Sequence, residues 1–454
     1  MIRSLLFGLL VSGALVVGTG AGFAQDGGPG SGVESTGSGI GGITGSESRT
    51  HGPLALTPTE AVELALTESG AVRNARIDLS LARKSDDNSW NRFLPDLDLS
   101  GGSSYSLAEE ARNRLSLSSQ LSARLTLSGT ALSDGERREQ AVRVSSLALE
   151  REEWDLRREV LLSYFSLVSQ EASVELQEQR VAAARSRLEQ TRTRFENGVV
   201  SEYAFLEARL SYQNSLPELT GAEQRLSRAR REFKELLGIR ESREIALVTE
   251  IPYLSLAPGA STLLDRHGAG APSVRAAQLN RSGAMLEARG DQRALFPSLS
   301  ASASVGYGAD EPFEQWRRTG SASLSLSLPI DPFVPGSEGD VGRAASALAV
   351  DQADSRLETA RKELATSLRN AVDGARSTAE QIAVVEENAR LAERVYEIAQ
   401  RRFEAGAIEA LELQNTEVER TRARVAVIEQ RLAHVEALIE VEYLLGVVLP
   451  DLPW

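Results

Sequence analysis

Residues whose types and spacing could support chemistry are scarce in this sequence. The three histidines, His51, His267 and His434, are far apart, and none has the spacing of a metal-ligand set. We expect them in a linker, in a connecting segment and on a helix surface, in that order. A G-x-G-x-x-G pattern occurs at residues 37–42, but dinucleotide binding needs a strand before it and a helix after it, and neither is predicted there. With no nucleophile constellation and no phosphate loop, the sequence predicts no enzyme, no catalytic residue, no cofactor and no metal site.

The composition excludes several further classes of protein. The 454 residues contain no cysteine, which rules out disulfides, thiolate nucleophiles and a lipidated cysteine anchor. Acidic residues outnumber basic ones by 64 to 50, giving a formal net charge of -14, so a nucleic-acid partner is not expected. The mean hydropathy of -0.22 argues against a bundle of membrane-spanning helices. Many acidic residues have an arginine or lysine three or four positions away, as Glu358 has Lys362, which is typical of a solvated helix surface.

The N-terminus has the pattern of a cleaved secretion signal. Arg3 precedes an apolar run at 5–17, and small residues lead to Ala24, which suits cleavage after that residue. A membrane anchor is the alternative, but the apolar run is shorter than the ~20 residues of a spanning helix. Residues 25–56, rich in glycine, serine and threonine, are predicted to form a flexible linker. We therefore predict a signal peptide at 1–24 and an exported protein without a lipid anchor.

The remainder of the chain repeats itself. Residues 194–198 read Arg-Phe-Glu-Asn-Gly, and residues 402–406 read Arg-Phe-Glu-Ala-Gly, 208 positions later. The Leu-Leu-Gly of 236–238 recurs at 444–446 with the same offset. Markers in the same order at one offset indicate a tandem duplication whose units are far longer than a solenoid repeat. The predicted organisation is a first structural repeat at 57–238, a connector at 239–270, a second structural repeat at 271–449 and a C-terminal tail at 450–454.

Each half is predicted to contain the same elements in the same order. An initial helix is followed by two strands with period-two alternation, a very long helix and a shorter return helix. At about 1.5 Å per residue, the long helices form rods of roughly 95 Å, too long for a compact globule. The initial and return helices of the first half together match the long helix in length, so they could stack end to end as a second rod. The predicted ranges are 58–92 and 272–294 for the initial helices, 97–107, 115–127, 299–307 and 321–330 for the strands, 134–197 and 341–405 for the long helices, and 201–237 and 409–445 for the return helices.

The predicted strands place leucine on one face and serine on the other. Two structures fit this alternation: a periplasmic sheet packed on a core, or part of a transmembrane barrel with leucine towards lipid and serine towards water. The strands reach the ~9–11 residues needed to cross a bilayer, and aromatic residues cluster at their ends, which favours the barrel. The predicted membrane-interface aromatics are Trp90, Phe93, Phe296 and Phe333 at one end, and Phe313 and Trp316 at the other.

Four strands cannot close a barrel alone. Two chains would supply about eight strands, whose interior is filled by side chains, whereas three chains would supply about twelve and leave a lumen. A water-filled conduit therefore calls for at least a trimer. From the residues alone, the alternative is an exported trimeric coiled-coil scaffold protein with no channel, whose strands form only a capping sheet.

The signal peptide, the duplicated order of elements and the repeated Arg-Phe-Glu-x-Gly turn together resemble the TolC-like outer membrane efflux proteins, also called outer membrane factors, over about residues 57–449. The resemblance implies a mainly α protein with a transmembrane β-barrel portion, a homotrimer in which a twelve-stranded barrel continues as a long periplasmic α-helical barrel. It implies an outer-membrane channel, the passive exit duct of a tripartite efflux or type I secretion system. The implied partners are outer-membrane lipid, a periplasmic adaptor (membrane fusion) protein and an inner-membrane pump of the RND, ABC or MFS type.

The same resemblance implies roles for residues at the turn between each long helix and its return helix, where the family pattern is R-[FY]-x-x-G-x-x-[ST]-x-x-D. The implied periplasmic tip and adaptor contacts are Arg194, Phe195, Gly198, Ser201, Arg402, Phe403, Gly406 and Glu409. This sequence departs from the pattern at Ala204 and Glu409, carries Glu412 at the acidic position, and has Asn415 where a further acid is usual. Glu412 would then form a ring of three carboxylates at a closed gate. From the residues alone, it is one solvated helix charge among many.

The repeated glycines and arginines also have a simpler interpretation that needs no partner. Gly198 and Gly406 are predicted C-terminal caps of the long helices. Arg194 and Arg402 are predicted to interact favourably with the dipoles of the helices that carry them.

Overall fold

The computed structural model describes residues 54–106, 114–240, 242–254, 258–309, 316–450 and 452. The predicted signal peptide at 1–24, the predicted linker up to residue 53 and Phe313 lie outside the described residues. Most of the predicted tail at 450–454 lies outside them as well.

Within the described ranges the chain forms eight α-helices and six β-strands. The helices are α1 (Pro58–Glu68), α2 (Gly70–Asp87), α3 (Thr130–Glu196), α4 (Glu202–Leu236), α5 (Ala260–His267), α6 (Pro272–Arg293), α7 (Glu338–Glu404) and α8 (Ala410–Leu445). The strands are β1 (Leu54–Leu56), β2 (Asp96–Ser106), β3 (Arg114–Leu127), β4 (Ile245–Leu247), β5 (Ser298–Ala309) and β6 (Arg317–Ser327). The predicted long helices, return helices and strands are confirmed within a few residues. α3 and α7 each contain 67 residues, and they begin and end 208 positions apart, the offset of the sequence markers.

The predicted helix at 58–92 is two helices, because Ser69 interrupts it. Ser69 ends α1 and begins α2, where its Oγ accepts a hydrogen bond from Val72 N at 3.4 Å. α1 begins with a capping box, in which Glu60 N donates to Thr57 Oγ1 at 3.3 Å and Thr57 N donates to Glu60 Oε2 at 2.8 Å. The hydrogen bonds from Thr57 hold the pKa of the Glu60 carboxyl below its ordinary value. Both helices thus have a side-chain cap from the residue that precedes them, and the prediction of one continuous helix is wrong.

Each long helix packs along two shorter helices placed end to end. Along α3, Arg76 of α2 pairs with Glu153 at 3.3 Å, and farther on, Arg230 of α4 pairs with Glu171 at 2.8 Å. The corresponding pairs along α7 are Arg281–Asp354 from α6 and Arg431–Glu386 from α8. The second rod expected from the summed helix lengths is therefore present beside α3.

The main hydrophobic core lies where α3 passes α1, α4 and α8. Tyr164 and Phe165 of α3 and Phe233 of α4 are fully buried there, and the rings of Tyr164 and Phe233 meet edge to face with centres 6.0 Å apart. Tyr164 Oη donates to Leu56 O at 2.9 Å and accepts from Thr249 N at 3.3 Å. One buried hydroxyl group thus connects β1 and the segment after β4 to the middle of α3.

β1 and β4 form a small parallel sheet, with Leu54 opposite Ile245. Leu54–Leu56 falls within the predicted linker at 25–56, so that prediction is wrong for its last three residues. The predicted connector at 239–270 contains β4 and α5. Strands this short have no periodicity that a sequence could reveal.

His434 is fully buried, although we predicted it on a helix surface. Its Nδ1 lies 3.0 Å from Thr378 Oγ1 and 3.1 Å from Ala375 O, and its Nε2 lies 2.5 Å from Leu254 O. The prediction is wrong because the last turns of α8 are covered on several sides, by α7 and by the connector. Both ring nitrogens have polar neighbours, as a buried imidazole requires.

Candidate functional site

The large sheet separates apolar and polar side chains onto opposite faces. Its strand order is β2-β3-β5-β6 with all neighbours antiparallel, so directly opposed residues share a face. On one face the opposed rows are apolar, as with Leu99, Leu121 and Val305 across three strands. Leu99 and Leu326 are 76% and 73% exposed. Towards the helices this face is apolar, whereas Ser103, Ser119 and Arg318 interrupt it at the other end, and the described part of the chain leaves its leucines uncovered, which marks it as a contact surface for an apolar environment.

The opposite face of the sheet is a ladder of hydroxyl groups. Ser104 and Ser116 pair between β2 and β3 with 2.7 Å between their Oγ atoms. The equivalent distances between β5 and β6 are 2.7 Å for Ser300–Ser325, 2.7 Å for Ser302–Ser323 and 2.8 Å for Ser304–Ser321. These cross-strand pairs help to hold the register. The same face also carries Asp96, Asp98 and Arg124, which lie in line with serine pairs, so this side of the sheet is polar and holds charges of both signs.

The predicted aromatic residues lie at the two ends of this sheet. Four exposed rings lie near the helix end, just before β2, just before β5 and just after β6: Trp90, Phe93, Phe296 and Phe333. Trp316, also exposed, immediately precedes β6 at the other end. Phe313, predicted beside it, is outside the described residues. The apolar face of the sheet is thus bordered by aromatic side chains at the helix end and by Trp316 at the other.

The two long helices end in the same hydrogen-bonded turn. In the first turn, Gly198 has a φ of 72°, Gly198 N donates to Phe195 O at 2.9 Å, and Val199 N donates to Arg194 O at 2.8 Å. In the second turn, Gly406 has the same φ, and the donors Gly406 and Ala407 reach Phe403 O and Arg402 O at 3.0 and 2.8 Å. This is the Schellman pattern, which needs a left-handed residue after the helix. Apart from the adjacent residues, no atom of the described ranges lies within 4 Å of a Cβ built on either glycine, so glycine is required there for its backbone angle and not for lack of space.

Alanine at Gly198 or Gly406 is therefore expected to cost about 1–2 kcal/mol at the turn, the penalty for an L-residue in the left-handed region. Hydrogen exchange of the amides on both sides of the turn should become faster, while the global unfolding midpoint moves little. Gly342 is the matched control, because it is an exposed glycine inside α7 without a positive φ. Gly342→Ala is expected to stabilise α7 by about 0.5–1 kcal/mol. Faster exchange in all three variants alike would contradict the assignment of a special backbone angle.

Arg194 joins the ends of the two long helices. Its Nη1 donates to Phe403 O at 3.3 Å and its Nη2 donates to Glu404 O at 3.2 Å, so it binds the C-terminal carbonyl groups of α7. The guanidinium carbon also lies 5.0 Å from the centre of the Phe403 ring. We predicted that Arg194 would act on the dipole of its own helix; instead, its contacts are with the C-terminus of α7. Phe403 is itself buried, beside Tyr396.

The remaining predicted tip residues have local roles in the chain. Phe195 stacks on Phe205 of α4, with ring centres 5.5 Å apart and planes at 6°. Ser201 caps α4, its Oγ accepting from Ala204 N at 3.3 Å. Glu409 occupies the corresponding capping position of α8 without a side-chain cap bond, and glutamate is not among the residues preferred at that position. These contacts of Phe195 and Ser201 thus lie within the helical hairpin formed by α3 and α4.

The acidic and basic groups around the turns are mostly exposed. Glu412 and Asn415 lie exposed in the first two turns of α8, where the helix N-terminus favours a negative charge. Arg402 is exposed as well. Arg192 Nε donates to Glu196 Oε1 at 2.9 Å, and this hydrogen bond together with the negative charge raises the pKa of the Arg192 guanidinium.

Sequence reasoning missed a buried ion pair near this end of the helices. Arg187 of α3 donates through Nη2 to the carboxylate of Glu417 on α8, and the two residues are 5% and 3% exposed. They are 230 positions apart in the chain. Sequence spacing reveals only pairs on one helix, so nothing in the sequence indicated this partnership.

Among the described residues, no helix has a stretch both long and apolar enough to span a membrane, and no group of three acidic or histidine side chains could hold a metal ion. The fold is that of solved outer-membrane channels. The chain is similar to the CmeC outer membrane channel of Campylobacter jejuni (16% identity, 86% of this chain and 85% of that chain, TM-score 0.70). It is also similar to the MtrE outer membrane channel of Neisseria gonorrhoeae in its open state (20% identity, 86% and 88%, TM-score 0.68) and to the outer membrane protein VceC of Vibrio cholerae (16% identity, 86% and 96%, TM-score 0.66).

The family of outer membrane efflux proteins matches the sequence twice, at residues 61–239 and 263–447. The two matches cover most of the chain, which therefore belongs to this family. Its function is that of an outer-membrane exit duct for efflux, and the family is one of transport proteins and not of enzymes. The alternative of a scaffold protein without a channel is accordingly not favoured. No curated protein sequence matches the chain significantly.

Proposed function

We propose that the duct is a homotrimer, in which each copy contributes its four-stranded sheet to one closed barrel across the outer membrane. The observation that carries this proposal is the two-faced sheet, with exposed leucines on one side and paired serines on the other. Leucine towards lipid and serine towards water is the arrangement of a membrane barrel. A soluble sheet would instead bury its leucines against a core.

The ends of the strand order explain how such a barrel would close. β2 and β6 each have one described neighbour in the sheet, so each has one free edge. Pairing of β6 with β2 of the next copy would satisfy both edges and leave none exposed. Three copies give about twelve strands, enough to enclose a water-filled lumen, whereas two copies would fill it with side chains.

The aromatic residues give the proposed barrel its orientation. Trp90, Phe93, Phe296 and Phe333 at the helix end of the sheet would lie at the periplasmic interface, and Trp316 with Phe313 at the outer one. The long helices α3 and α7 would then continue the duct into the periplasm as an α-helical tube. Export through the cleaved signal peptide at 1–24 would bring the chain to the periplasm. Because the sequence has no cysteine to carry a lipid, the barrel would anchor the protein in the membrane.

The two halves of the chain are inferred to be a tandem duplication. The offset of 208 between α3 and α7 equals the offset between the repeated turns, and the family matches each half once. Three copies would therefore present six similar turns at the periplasmic end. We propose that these turns, with Arg194, Phe195, Gly198, Ser201, Arg402, Phe403, Gly406 and Glu409, dock a periplasmic adaptor protein that links the duct to an inner-membrane pump of a tripartite efflux or type I secretion system.

The experiment that tests the duct is reconstitution of the purified protein in planar bilayers, with its mass measured in detergent. A trimer that needs detergent and gives discrete conductance steps supports the proposal. A water-soluble protein that adds no conductance to the bilayer would overturn it. The measurement needs no knowledge of the transported substrate.

Glu412 is proposed to form a ring of three carboxylates at the periplasmic mouth of the duct. Glu412→Ala is expected to lower the preference for cations and to raise the conductance, because the variant loses three negative charges and three long side chains from the mouth. The difference in selectivity should be clear at 0.1 M salt and nearly vanish at 1 M, where the Debye length falls from about 10 Å to about 3 Å.

The control for this variant is Glu202→Ala in the first turn of α4. Ala204 occupies the position in the first half that Glu412 occupies in the second, and Glu202 points about 200° away from it around the helix. Glu202→Ala is expected to leave selectivity unchanged. Equal single-channel behaviour of Glu412→Ala and the unsubstituted protein would contradict the carboxylate ring.

A further inference from the structure

The apolar face of the large sheet gives way to a polar row at the end away from the helices. Gly101, Ser119, Tyr307 and Arg318 are aligned across the four strands on this face. The neighbouring row towards the helices, which contains Leu121, consists only of apolar residues and glycine. Three of the four side-chain positions in the polar row carry a hydroxyl or guanidinium group, each able to donate hydrogen bonds. The face thus changes from hydrocarbon to hydrogen-bond donors within one row.

These donors are not used within the described part of the chain. Ser119, Tyr307 and Arg318 are exposed, and their side chains make no hydrogen bond or ion pair with another described residue. The hydroxyl groups of the opposite face, in contrast, pair across the strands, as Ser304 and Ser321 do at 2.8 Å. The polar row contains a positive charge and no carboxylate. Its unused groups therefore suit an anion.

The position of the row along the strands places it at the border of a bilayer. Arg318 lies eight residues from Leu326 along β6, and both are on the apolar face. At about 3.4 Å per residue and a strand tilt of about 40°, this separation is about 21 Å across the membrane. The apolar band of a membrane barrel is about 25 Å tall, so a band that begins near Leu326 ends close to Arg318. Trp316, proposed for the outer interface, lies two residues farther along.

An arginine at this depth is within reach of lipid headgroups. Arginine on the lipid face costs about 2–4 kcal/mol at the midplane of the bilayer but only about 0–1 kcal/mol near the interface. Its stem can lie along apolar surface while the guanidinium stays at the level of the headgroups. A guanidinium binds phosphate oxygens through two parallel hydrogen bonds. Tyr307 lies directly opposite Arg318, and Ser119 lies one strand farther on, about 5 Å and 10 Å away across the sheet.

We propose that Ser119, Tyr307 and Arg318 form a binding site for a lipid of the outer leaflet whose headgroup carries phosphate. Arg318 binds the phosphate through its guanidinium, and the hydroxyl groups of Tyr307 and Ser119 donate to its oxygens. A trimer has three such sites. The inference rests on the proposed barrel and adds the class of lipid that the outer end of each sheet selects.

The surface beside the row indicates that the occupant is a lipid and not free phosphate. Leu99 and Leu121, in the neighbouring row, are 76% and 52% exposed. Free phosphate would use the donors and leave these leucines uncovered, whereas a lipid covers both parts of the surface with its headgroup and its acyl chains. The site is continuous with the face that the proposed barrel turns towards the bilayer.

The neighbouring residue supplies a matched control. Arg317 lies on the opposite face of β6, where it faces Gly308 of β5. It is exposed and makes no ion pair with a described residue. Arg317 and Arg318 therefore have the same charge, the same strand and nearly the same depth, and they differ in the face that carries them. Only Arg318 would meet lipid.

The test is native mass spectrometry of the purified protein in detergent, which counts the lipids bound to each particle. The probe is phosphatidic acid, and diacylglycerol with the same acyl chains is the phosphate-free reference. The unsubstituted trimer is expected to bind up to three molecules of phosphatidic acid in preference to diacylglycerol. Arg318→Gln is expected to weaken this binding about fivefold, the effect of one basic residue near an anionic lipid surface. Tyr307→Phe is expected to weaken it by a smaller factor, and Arg317→Gln to leave it unchanged.

Equal binding of phosphatidic acid by the Arg317→Gln and Arg318→Gln variants would overturn the inference. So would equal binding of phosphatidic acid and diacylglycerol by the unsubstituted protein. Displacement of phosphatidic acid by excess inorganic phosphate would overturn the lipid as the ligand, because the headgroup alone would then fill the site. If Arg318→Gln gives no trimer, Tyr307→Phe carries the test, and unchanged binding by that variant would overturn the site.

The same spectra separate failure of this inference from failure of the proposed duct. A detergent-dependent trimer without the expected lipid preference would overturn the lipid site and leave the barrel intact. A water-soluble particle that is not a trimer would overturn both.

Discussion

Replacing Glu417 by alanine is expected to destabilise the fold by about 3–5 kcal/mol, because the Arg187 guanidinium would stay buried without its counter-charge. The pair lies between α3 and α8, where both side chains are almost completely excluded from solvent. The measurement is the denaturant midpoint of the helical circular dichroism signal in detergent. No exposed pair of the chain should have a comparable effect, since exposed pairs contribute about 0–1 kcal/mol.

The matched control replaces both partners, as Arg187→Met with Glu417→Leu. Three polar atoms of the pair, Arg187 Nε and Nη1 and Glu417 Oε1, have no hydrogen-bond partner among the described residues, so the cost of removing the charges from water is incompletely offset. The double variant is therefore expected to be as stable as the unsubstituted protein or more stable. A double variant as unstable as Glu417→Ala would contradict this account, and so would an unchanged midpoint for Glu417→Ala.

Leu121→Arg is expected to prevent stable insertion in the outer membrane. Leu121 lies midway along β3 on the apolar face, between Leu99 and Val305. Arginine on the lipid face near the middle of a bilayer costs about 2–4 kcal/mol, and a trimer would carry three such charges. The measurement is the amount of heat-modifiable oligomer in isolated outer membranes.

Gln120→Arg is the control, because Gln120 is the neighbour of Leu121 on the other face, opposite Ser100 and Gly306. There the new charge would face the water-filled lumen, so insertion should be normal and the preference for anions should increase. Equal insertion of the two variants would show that the leucine face does not meet lipid. The proposed barrel would then have to be abandoned, whatever the oligomeric state.

The long-range organisation of the chain could be predicted from the sequence because it depends on periodicity. The strands alternate strictly, and the long helices keep their apolar period over many turns, so their bounds are found within a few residues. Gly198 and Gly406 mark the helix ends because only a left-handed residue can close that turn. The large sheet was predicted as strands with one apolar and one polar face, and the structure adds the order in which they pair.

The parts that sequence reasoning missed depend on contacts between distant residues. His434 is buried because α7 and Leu254 of the connector cover it, and Arg187 meets Glu417 because α3 and α8 are neighbours. Ser69 could have been recognised, since serine followed by glycine is a common helix break, but the surrounding apolar pattern continues through it. β1 and β4 are too short to leave a pattern. We assigned Arg194 to the dipole of its own helix because the sequence does not show that the C-terminus of α7 lies beside the end of α3.

The serine pairs of the sheet have a consequence for what passes along them. In each pair, one hydroxyl proton is already committed to the facing oxygen across the strands. The same rows of this face carry fixed charges, with Asp96 and Arg124 in line with Ser302 and Ser323, and Asp98 in line with Ser304 and Ser321. In the proposed barrel, the lining would therefore combine paired hydroxyl groups with charges of both signs, and a charged cargo would meet these charges at the end of the barrel nearest the helices.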